Sequence, residues 1–473
     1  SNNKRDNMKS KLPYDLNNKD SIIQYAKQLM GKSLKDVCGK ELIENQKNKG
    51  GFGQLLEKFY FLYEPNSDSE PDFKEVGLEL KSSPIKKLKR LDFVSKERLV
   101  LNIINYLEIV KQDFENSSFW KKNKNLLLVF YFYENEKKAI DFKIDIVDEW
   151  EFPEIDLEII KKDWNIIHQK VKDGKAHELS EGDTLYLGAC TKGSKGGNLR
   201  EQPNSNIKAK QRAFSLKQGY VNHIIATLVD SSKENYGKLI SSLAVAQTTS
   251  LEDIVVSKFE KYYNKTIIEI QTELQIELNP KAKNFNANVT KAILGIELNK
   301  DIEEFKKADI IVKTVRLKEN NLPKEDISFP AFKYTDLIEE EWEESPFKNM
   351  IEHKFFFVFF QFEKDTLVLK KVKFWNMPYS DIEECEKVWQ ETQKTLISGK
   401  IVKEIKFDKN GKEKRLTNFP NKKFSDISHV RPHALNSEDV YLLPNADKIT
   451  KVNEYTKHCF WLNNTYVRDQ IYL

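Results

Sequence analysis

The sequence predicts an α/β or α+β protein made of two related domains in tandem. Three observations lead there. A chain of 473 residues exceeds the usual size of one domain, about 100 to 200 residues, so two or three domains are expected. Helical and strand-like stretches follow one another in both halves. Patterns of the first half recur about 225 to 246 residues later, a spacing of domain length and not of solenoid length.

The elements follow in chain order. Ser21 to Met30 and Gly53 to Leu62 carry apolar residues at helical spacing and open the first half. From Val76 to Lys81 apolar and polar residues alternate, as in a half-buried strand. The apolar runs Leu126 to Tyr133 and Phe355 to Phe362, one in each half, have the length of buried strands. Trp164 is followed ten residues on by Gly174-Lys175, and Trp389 at the same distance by Gly399-Lys400. A helix ended by glycine accounts for both spacings. Phe214-Ser215-Leu216 with Tyr220 matches Phe460-Trp461-Leu462 with Tyr466, and Phe73 with Lys81 matches Phe305 with Lys313. These matches keep their order, which points to duplication. Polar interruptions place the seam in a linker at 236–252, between domains at 1–235 and 253–473.

Composition narrows the class without naming it. Hydrophobic residues make up 39% and charged residues 32%, enough apolar material for packed cores and too balanced a charge for a disordered chain. A net charge of +4 from 77 basic and 73 acidic residues leaves only local clusters informative. No apolar run reaches the roughly 18 to 20 residues of a membrane span. Cys38, Cys190, Cys385 and Cys459 lie too far apart for a C-x-x-C metal pattern or a disulfide framework, so a reducing cytoplasm is expected. His177, His429 and His433 lack zinc-site spacing.

The segment Pro71-Asp72-Phe73-Lys74-Glu75-Val76-Gly77-Leu78-Glu79-Leu80-Lys81 bears the chemistry. Strand alternation sets Glu79 and Lys81 on one face. A turn at Asp72 would bring its carboxylate to Glu79 from an adjacent strand, giving two hard oxygen ligands with a lysine beside them. That set suits Mg²⁺ and phosphodiester hydrolysis. The cation would neutralise the phosphate and lower the pKa of an attacking water; the lysine would orient that water or stabilise developing negative charge. Glu-x-Lys alone is common in this chain, at Glu136, Glu352 and Glu404, where surface ion pairs suffice. None of those has an Asp seven residues earlier; Val129, Ser345 and Ile397 stand there.

A basic stretch supplies a candidate partner. From Thr191 to Lys217 the cations Lys192, Lys195, Arg200, Lys208, Lys210, Arg212 and Lys217 face a single anion, Glu201, a local charge of +6 suited to a phosphate backbone. Gly193, Gly196 and Gly197 would let that backbone approach a groove. A second run, Lys86-Lys87-x-Lys89-Arg90, follows the strand of Glu79.

Asp72-x6-Glu79-x-Lys81 within Pro-Asp-Phe-x3-Gly-x-Glu-Leu-Lys resembles the active-site motif of the MutH mismatch-repair endonucleases and of the related type II restriction enzymes that cut GATC, members of the PD-(D/E)xK nuclease fold. The resemblance extends over Gly53-Gln54-Leu55-Leu56-Glu57, Ser95 to Asn102, Trp164 with Gly174-Lys175, His177 to Gly182 and Ile207 to Lys217, nearly all of the first half. It implies two tandem restriction-endonuclease-like domains, each a mixed central sheet flanked by helices. Asp72 and Glu79 would bind Mg²⁺, Lys81 would assist the water and Glu57 would support the site from a helix. Gly188 to Lys192 would correspond to a base-reading loop, and Lys122 would lie near the scissile phosphate. Duplex DNA containing GATC would be the partner, with no small-molecule cofactor beyond the metal. One active centre per chain makes a transient homodimer on DNA natural.

Aligned on Phe305 and Lys313, the second copy has Glu304 for Asp72, Ile311 for Glu79 and Leu294 opposite Glu57. Isoleucine cannot ligate Mg²⁺, so this copy should be catalytically degenerate. It keeps His429-Val430-Arg431-Pro432, similar to the family's groove-reading Arg-Pro segment, with Arg431 able to fork onto guanine or phosphate. The expected enzyme is a type II restriction endonuclease whose C-terminal domain binds DNA as an effector. A mismatch-repair nicking enzyme and a non-catalytic DNA-binding regulator are the alternatives.

Overall fold

The computed structural model describes residues 12–44, 50–65, 69–88, 93–193, 198–229 and 236–473. Lys89, Arg90, Lys195, Gly196 and Gly197 lie outside them. The chain forms two compact units. Unit 1 comprises Ser1–Leu179, Thr184–Thr248 and Asp301–Asp309; unit 2 comprises Ser180–Asp183, Thr249–Lys300 and Ile310–Leu473.

Unit 1 opens with helices α1 (Lys19–Lys27) and α2 (Leu34–Glu44), followed by a short helix α3 (Phe52–Leu55) that widens into a π turn at Leu56–Tyr60. The helix expected over Gly53 to Leu62 is thus one α turn and one π turn. Strands β1 (Glu79–Lys87), β2 (Phe93–Ser95), β3 (Leu99–Ile103), β4 (Leu126–Phe132) and β5 (Ile144–Trp150) come next, with helix α4 (Ser118–Asn123) before β4. β1 runs parallel to β4, Glu79 opposite Leu126, and β4 antiparallel to β5, Leu126 opposite Trp150. Leu80, Leu127 and Val129 project from this mixed sheet into a core with Leu55, Phe61 and Phe73.

Helix α5 (Glu154–Lys172) carries Trp164, begins after Pro153 with acids in its first turn and ends in lysines, as its dipole favours. Strands β6 (Leu187–Thr191), β7 (Leu199–Arg200), β8 (Ala209–Lys210) and β9 (Arg212–Leu216) precede helices α6 (Gln218–Val229) and α7 (Leu243–Thr248). β6 pairs with β9, Ala189 opposite Phe214. Strands β10 (Tyr236–Gly237) and β11 (Asp301–Ile302) and helix α8 (Glu303–Lys307) complete the unit. The seam expected as a linker at 236–252 therefore contains β10 and α7, and the units divide between Thr248 and Thr249.

Unit 2 repeats the plan after helices at Leu251–Glu260, Ile267–Leu274 and Phe285–Leu294. β12 (Ile311–Leu317) runs parallel to β14 (Phe355–Glu363), Ile311 opposite Phe355; β14 pairs antiparallel with β15 (Thr366–Trp375), Phe355 opposite Trp375. A short β13 (Ile327–Ser328) and helix α9 (Pro346–Ile351) lie between. Helix α10 (Tyr379–Ser398) starts after Pro378, as α5 starts after Pro153, and stops at left-handed Gly399. The hairpin β16 (Val402–Phe407) and β17 (Glu413–Thr417) follows. β18 (Ser428–Pro432) then pairs with β21 (His458–Leu462), Val430 opposite Phe460, around the hairpin β19 (Val440–Leu442) and β20 (Glu454–Thr456). Tyr220 bonds Asp156 at 2.9 Å and Tyr466 bonds Asp381 at 2.7 Å, each linking the end of one copy to the start of its Trp helix. The duplication read from aromatic spacing is therefore a duplication of sheet order and register.

Candidate active site

The site forms where β1 begins. Phe73 and Leu78 close a tight turn through reciprocal backbone hydrogen bonds of 2.9 and 3.2 Å. Gly77 makes this possible at φ +68°, a conformation side chains disfavour. The turn doubles the chain back so that Asp72 stands beside Glu79 and accepts the Leu80 N–H at 3.0 Å. Asp72 thus approaches from the turn itself, and no adjacent strand is needed. Strand alternation sends Leu80 into the core and leaves Glu79 and Lys81 on the other face.

Glu79 is 1% exposed. Burial, then the hydrogen bond it shares with Asp72, pushes its carboxyl up to about 9. At neutral pH Glu79 therefore keeps its proton. Oxygen Oε2 of Glu79 has no hydrogen-bond partner among the described residues, though the Lys122 ammonium stands 3.5 Å away. We read that distance as an ion pair without a hydrogen bond, because 3.5 Å is too long for one to a charged group. Burial lowers the pKa of Lys81, with Glu79 opposing; its Nζ donates to the Leu101 carbonyl at 2.6 Å. Glu57, on the π turn, is pushed up to about 7 by burial and then by Asp72, while Lys81 and Lys122 pull it down. Asp72, Glu79, Lys81, Glu57 and Lys122 therefore form one electrostatic cluster.

Among the described residues no cluster of three or more His, Cys, Asp or Glu is arranged as a complete metal cage. Mg²⁺ needs less, because it keeps several waters and is commonly held by one or two carboxylates. A buried Glu79 that keeps its proton, one of its oxygens without a hydrogen-bond partner, beside the half-buried Asp72 carboxylate is a donor set that a hard cation fits.

Tyr63 had no signal in the sequence. Its hydroxyl is buried without a hydrogen-bond partner among the described residues, and burial, then Asp72, Glu57 and Glu79, raise its pKa. Only the π turn and the left-handed Leu62 bring it there.

The basic residues divide. Lys86 and Lys87 are exposed at the far end of β1, about 16 Å along the strand from Lys81. Lys192, Arg200 and Lys208 are exposed and Lys210 half-buried. Arg212 and Lys217 are not surface cations. Arg212 is 1% exposed and donates to the Ala189 carbonyl at 2.7 Å; Lys217 is 7% exposed and donates to the Thr184 carbonyl. Both serve the β6–β9 sheet, a correction to their expected place on a DNA-facing surface. Lys122 turns inward to Glu79.

In unit 2, Ile311 and Lys313 occupy the strand positions of Glu79 and Lys81. Glu304, expected in the place of Asp72, is instead a buried residue of unit 1 that accepts the N–H groups of Leu239 and Ile240. Phe305 belongs to α8 and is no counterpart of the turn residue Phe73. Leu294 ends a helix. Arg431 is exposed, its guanidinium 3.9 Å over the Trp461 ring and 3.5 Å from the Asp326 carboxylate.

Comparison with known proteins agrees with this geometry. The family described as DNA mismatch repair enzyme MutH matches residues 61–163, a span holding Asp72, Glu79, Lys81 and Lys122. The type II restriction enzyme Sau3AI of Staphylococcus aureus is 39% identical over 96% of this chain and 98% of its own length. The DNA mismatch repair protein MutH of Vibrio campbellii is 27% identical over 43% of this chain and 91% of its own. Identity that spans both copies, together with the MutH match around the acidic cluster, places the chain in the MutH-related family of type II restriction enzymes.

Proposed function

We propose that the chain is a type II restriction endonuclease that hydrolyses phosphodiester bonds of duplex DNA at GATC with Mg²⁺, unit 1 cutting and unit 2 binding DNA as an effector. The observation that carries this is the convergence of Asp72, Glu79 and Lys81 at the start of β1. Asp72 and Glu79 would hold the cation, with Glu57 behind them. When bound, Mg²⁺ supplies charge neutralisation at the phosphate and a more acidic water. Lys81, half-buried and anchored on the Leu101 carbonyl, offers its remaining N–H groups to that water or to the developing charge. Lys122 adds a second cation at the cluster.

The GATC target follows the family resemblance. The effector role of unit 2 is favoured by Ile311, which cannot ligate, and by Arg431 stacked on Trp461 in the open. Breaking both strands with one centre per chain requires two chains on the palindrome or two successive nicks, and we favour a transient dimer. Among the described residues no helix is long and apolar enough to cross a membrane, and a cytoplasmic setting belongs to the same proposal.

The test is a plasmid digest with purified chain, with and without Mg²⁺. Fragments from cleavage at GATC are expected; nicks alone would favour the mismatch-repair reading, and intact plasmid a non-catalytic regulator. Asp72→Asn and Lys81→Met should each slow cleavage by on the order of 10²- to 10³-fold or more while duplex binding is retained. Wild-type cutting by either variant would refute the assignment.

A further inference from the structure

The Tyr63 hydroxyl is a buried polar group beside the acidic cluster that the chemistry above leaves unused. It is a donor without an acceptor, while Oε2 of Glu79 in the same cluster is an acceptor without a hydrogen-bond donor. Buried polar groups left without partners are costly, and where they persist a catalytic role or a bound ion commonly accounts for them.

The backbone holds Tyr63 in place from two directions. Its N–H bonds to the Glu57 carbonyl at 3.2 Å, tying it to the π turn that carries Glu57. Leu62, between them, adopts φ +61°, a strained conformation for a leucine and one that turns the next side chain inward. From the other side the ring of Phe73, the neighbour of Asp72, meets the Tyr63 ring edge-on at 5.7 Å. Tyr63 is therefore fixed relative to both ends of the acidic cluster. Two carboxylates turned toward a cation retain lone pairs that the cation does not use, and a buried hydroxyl beside them can donate to one.

We infer that Tyr63 is a positioning residue of the nuclease site: its hydroxyl, without an acceptor in the metal-free structure, would donate to the Asp72–Glu79 pair when a divalent cation is held and fix the orientation in which that pair holds it. The inference rests on the function proposed above and adds a residue that the active-site motif does not contain.

Tyr63→Phe removes the hydroxyl and keeps the ring. Three measurements on the full chain read its effect: the metal-free melting temperature, the rise in melting temperature on adding Ca²⁺, and the Mn²⁺ concentration giving half-maximal plasmid cleavage. The variant should need roughly tenfold more Mn²⁺ or beyond, and its Ca²⁺-induced rise should shrink. Its metal-free melting temperature should be unchanged or higher, because an unsatisfied buried group has gone. A wild-type Mn²⁺ requirement overturns the inference, as does a lowered metal-free melting temperature, which would mark a packing role. Asp72→Asn runs alongside. If it too keeps the wild-type metal response, the nuclease-site reading fails on its own account, separately from Tyr63.

Discussion

The hydrogen-bonded turn from Phe73 to Leu78 holds Asp72 beside Glu79, and burial, then the hydrogen bond shared with Asp72, keeps a proton on Glu79. This gives the metal-free protein a pH signature. Glu79 is raised to about 9 and Glu57 to about 7, both from an ordinary 4.5. A carboxyl raised on folding contributes fully below its unfolded pKa, and that contribution is lost as pH climbs through the folded value. The melting temperature without metal should therefore fall between about pH 5 and pH 9. Asp72, Lys81 and Lys122 bear on Glu79, the same three bear on Glu57, and Tyr63 lies beside them. Glu79→Gln keeps a donor for Asp72 and should flatten the upper part of that fall; a slope as steep as the wild type's between pH 7 and 9 would contradict a proton held on Glu79. The pair itself was legible, because alternation and a seven-residue interval place Glu79, Lys81 and Asp72 from sequence alone. Tyr63 was not, since a π turn and a left-handed leucine have no periodic trace. Arg212 and Lys217 were misplaced because charge on a short strand reveals nothing about which carbonyls it will meet.

At the scale of elements, the two copies share sheet order and register while differing in what the first strand carries. Ile311 sits where Glu79 sits, opposite the first residue of the central strand, and Lys313 follows as Lys81 does. Restoring one acid should not restore the chemistry. The turn that delivers Asp72 has no working counterpart, because the carboxylate of Glu304 is already committed to the backbone of Leu239 and Ile240. In an Asp72→Asn background, Ile311→Glu should give no Mg²⁺-dependent nicking of plasmid, and appearance of nicked circles would show that unit 2 retains more of the site than its register reveals. The Trp helices were readable from their glycine stops, and the long central strands from their apolar runs. The hairpin β16–β17 was not: most of its residues are exposed on both faces, so it has no alternation to betray it.

For the molecule as a whole, the order of residues along the chain and the membership of the two units do not coincide. Unit 1 is completed by residues 301–309, which the sequence places well inside the second half. Lys307, buried, donates to Asp156 at 2.8 Å, and the same carboxylate accepts from Tyr220 at 2.9 Å. Asp309 accepts the Gly219 N–H at 3.1 Å. Gly219 is required there, since a Cβ would lie 1.9 Å from the Lys306 carbonyl oxygen. Glu304 caps two further N–H groups. No local pattern could have announced this, because each partner is unremarkable until folding supplies the other. A fragment of residues 1–248 would lose α8, and with it the Lys307 partner of Asp156 and the packing of α8 on α6. It would also deprive the N–H groups of Gly219, Leu239 and Ile240 of their carboxylate acceptors. The fragment should therefore show weak near-ultraviolet circular dichroism, no cooperative melt and rapid proteolysis under conditions where the full chain resists it. In the full chain, Lys307→Ala should lower the melting temperature through the same buried carboxylate. A 1–248 fragment that melts cooperatively at the temperature of the intact protein would show that α8 is an accessory and not part of the fold of unit 1.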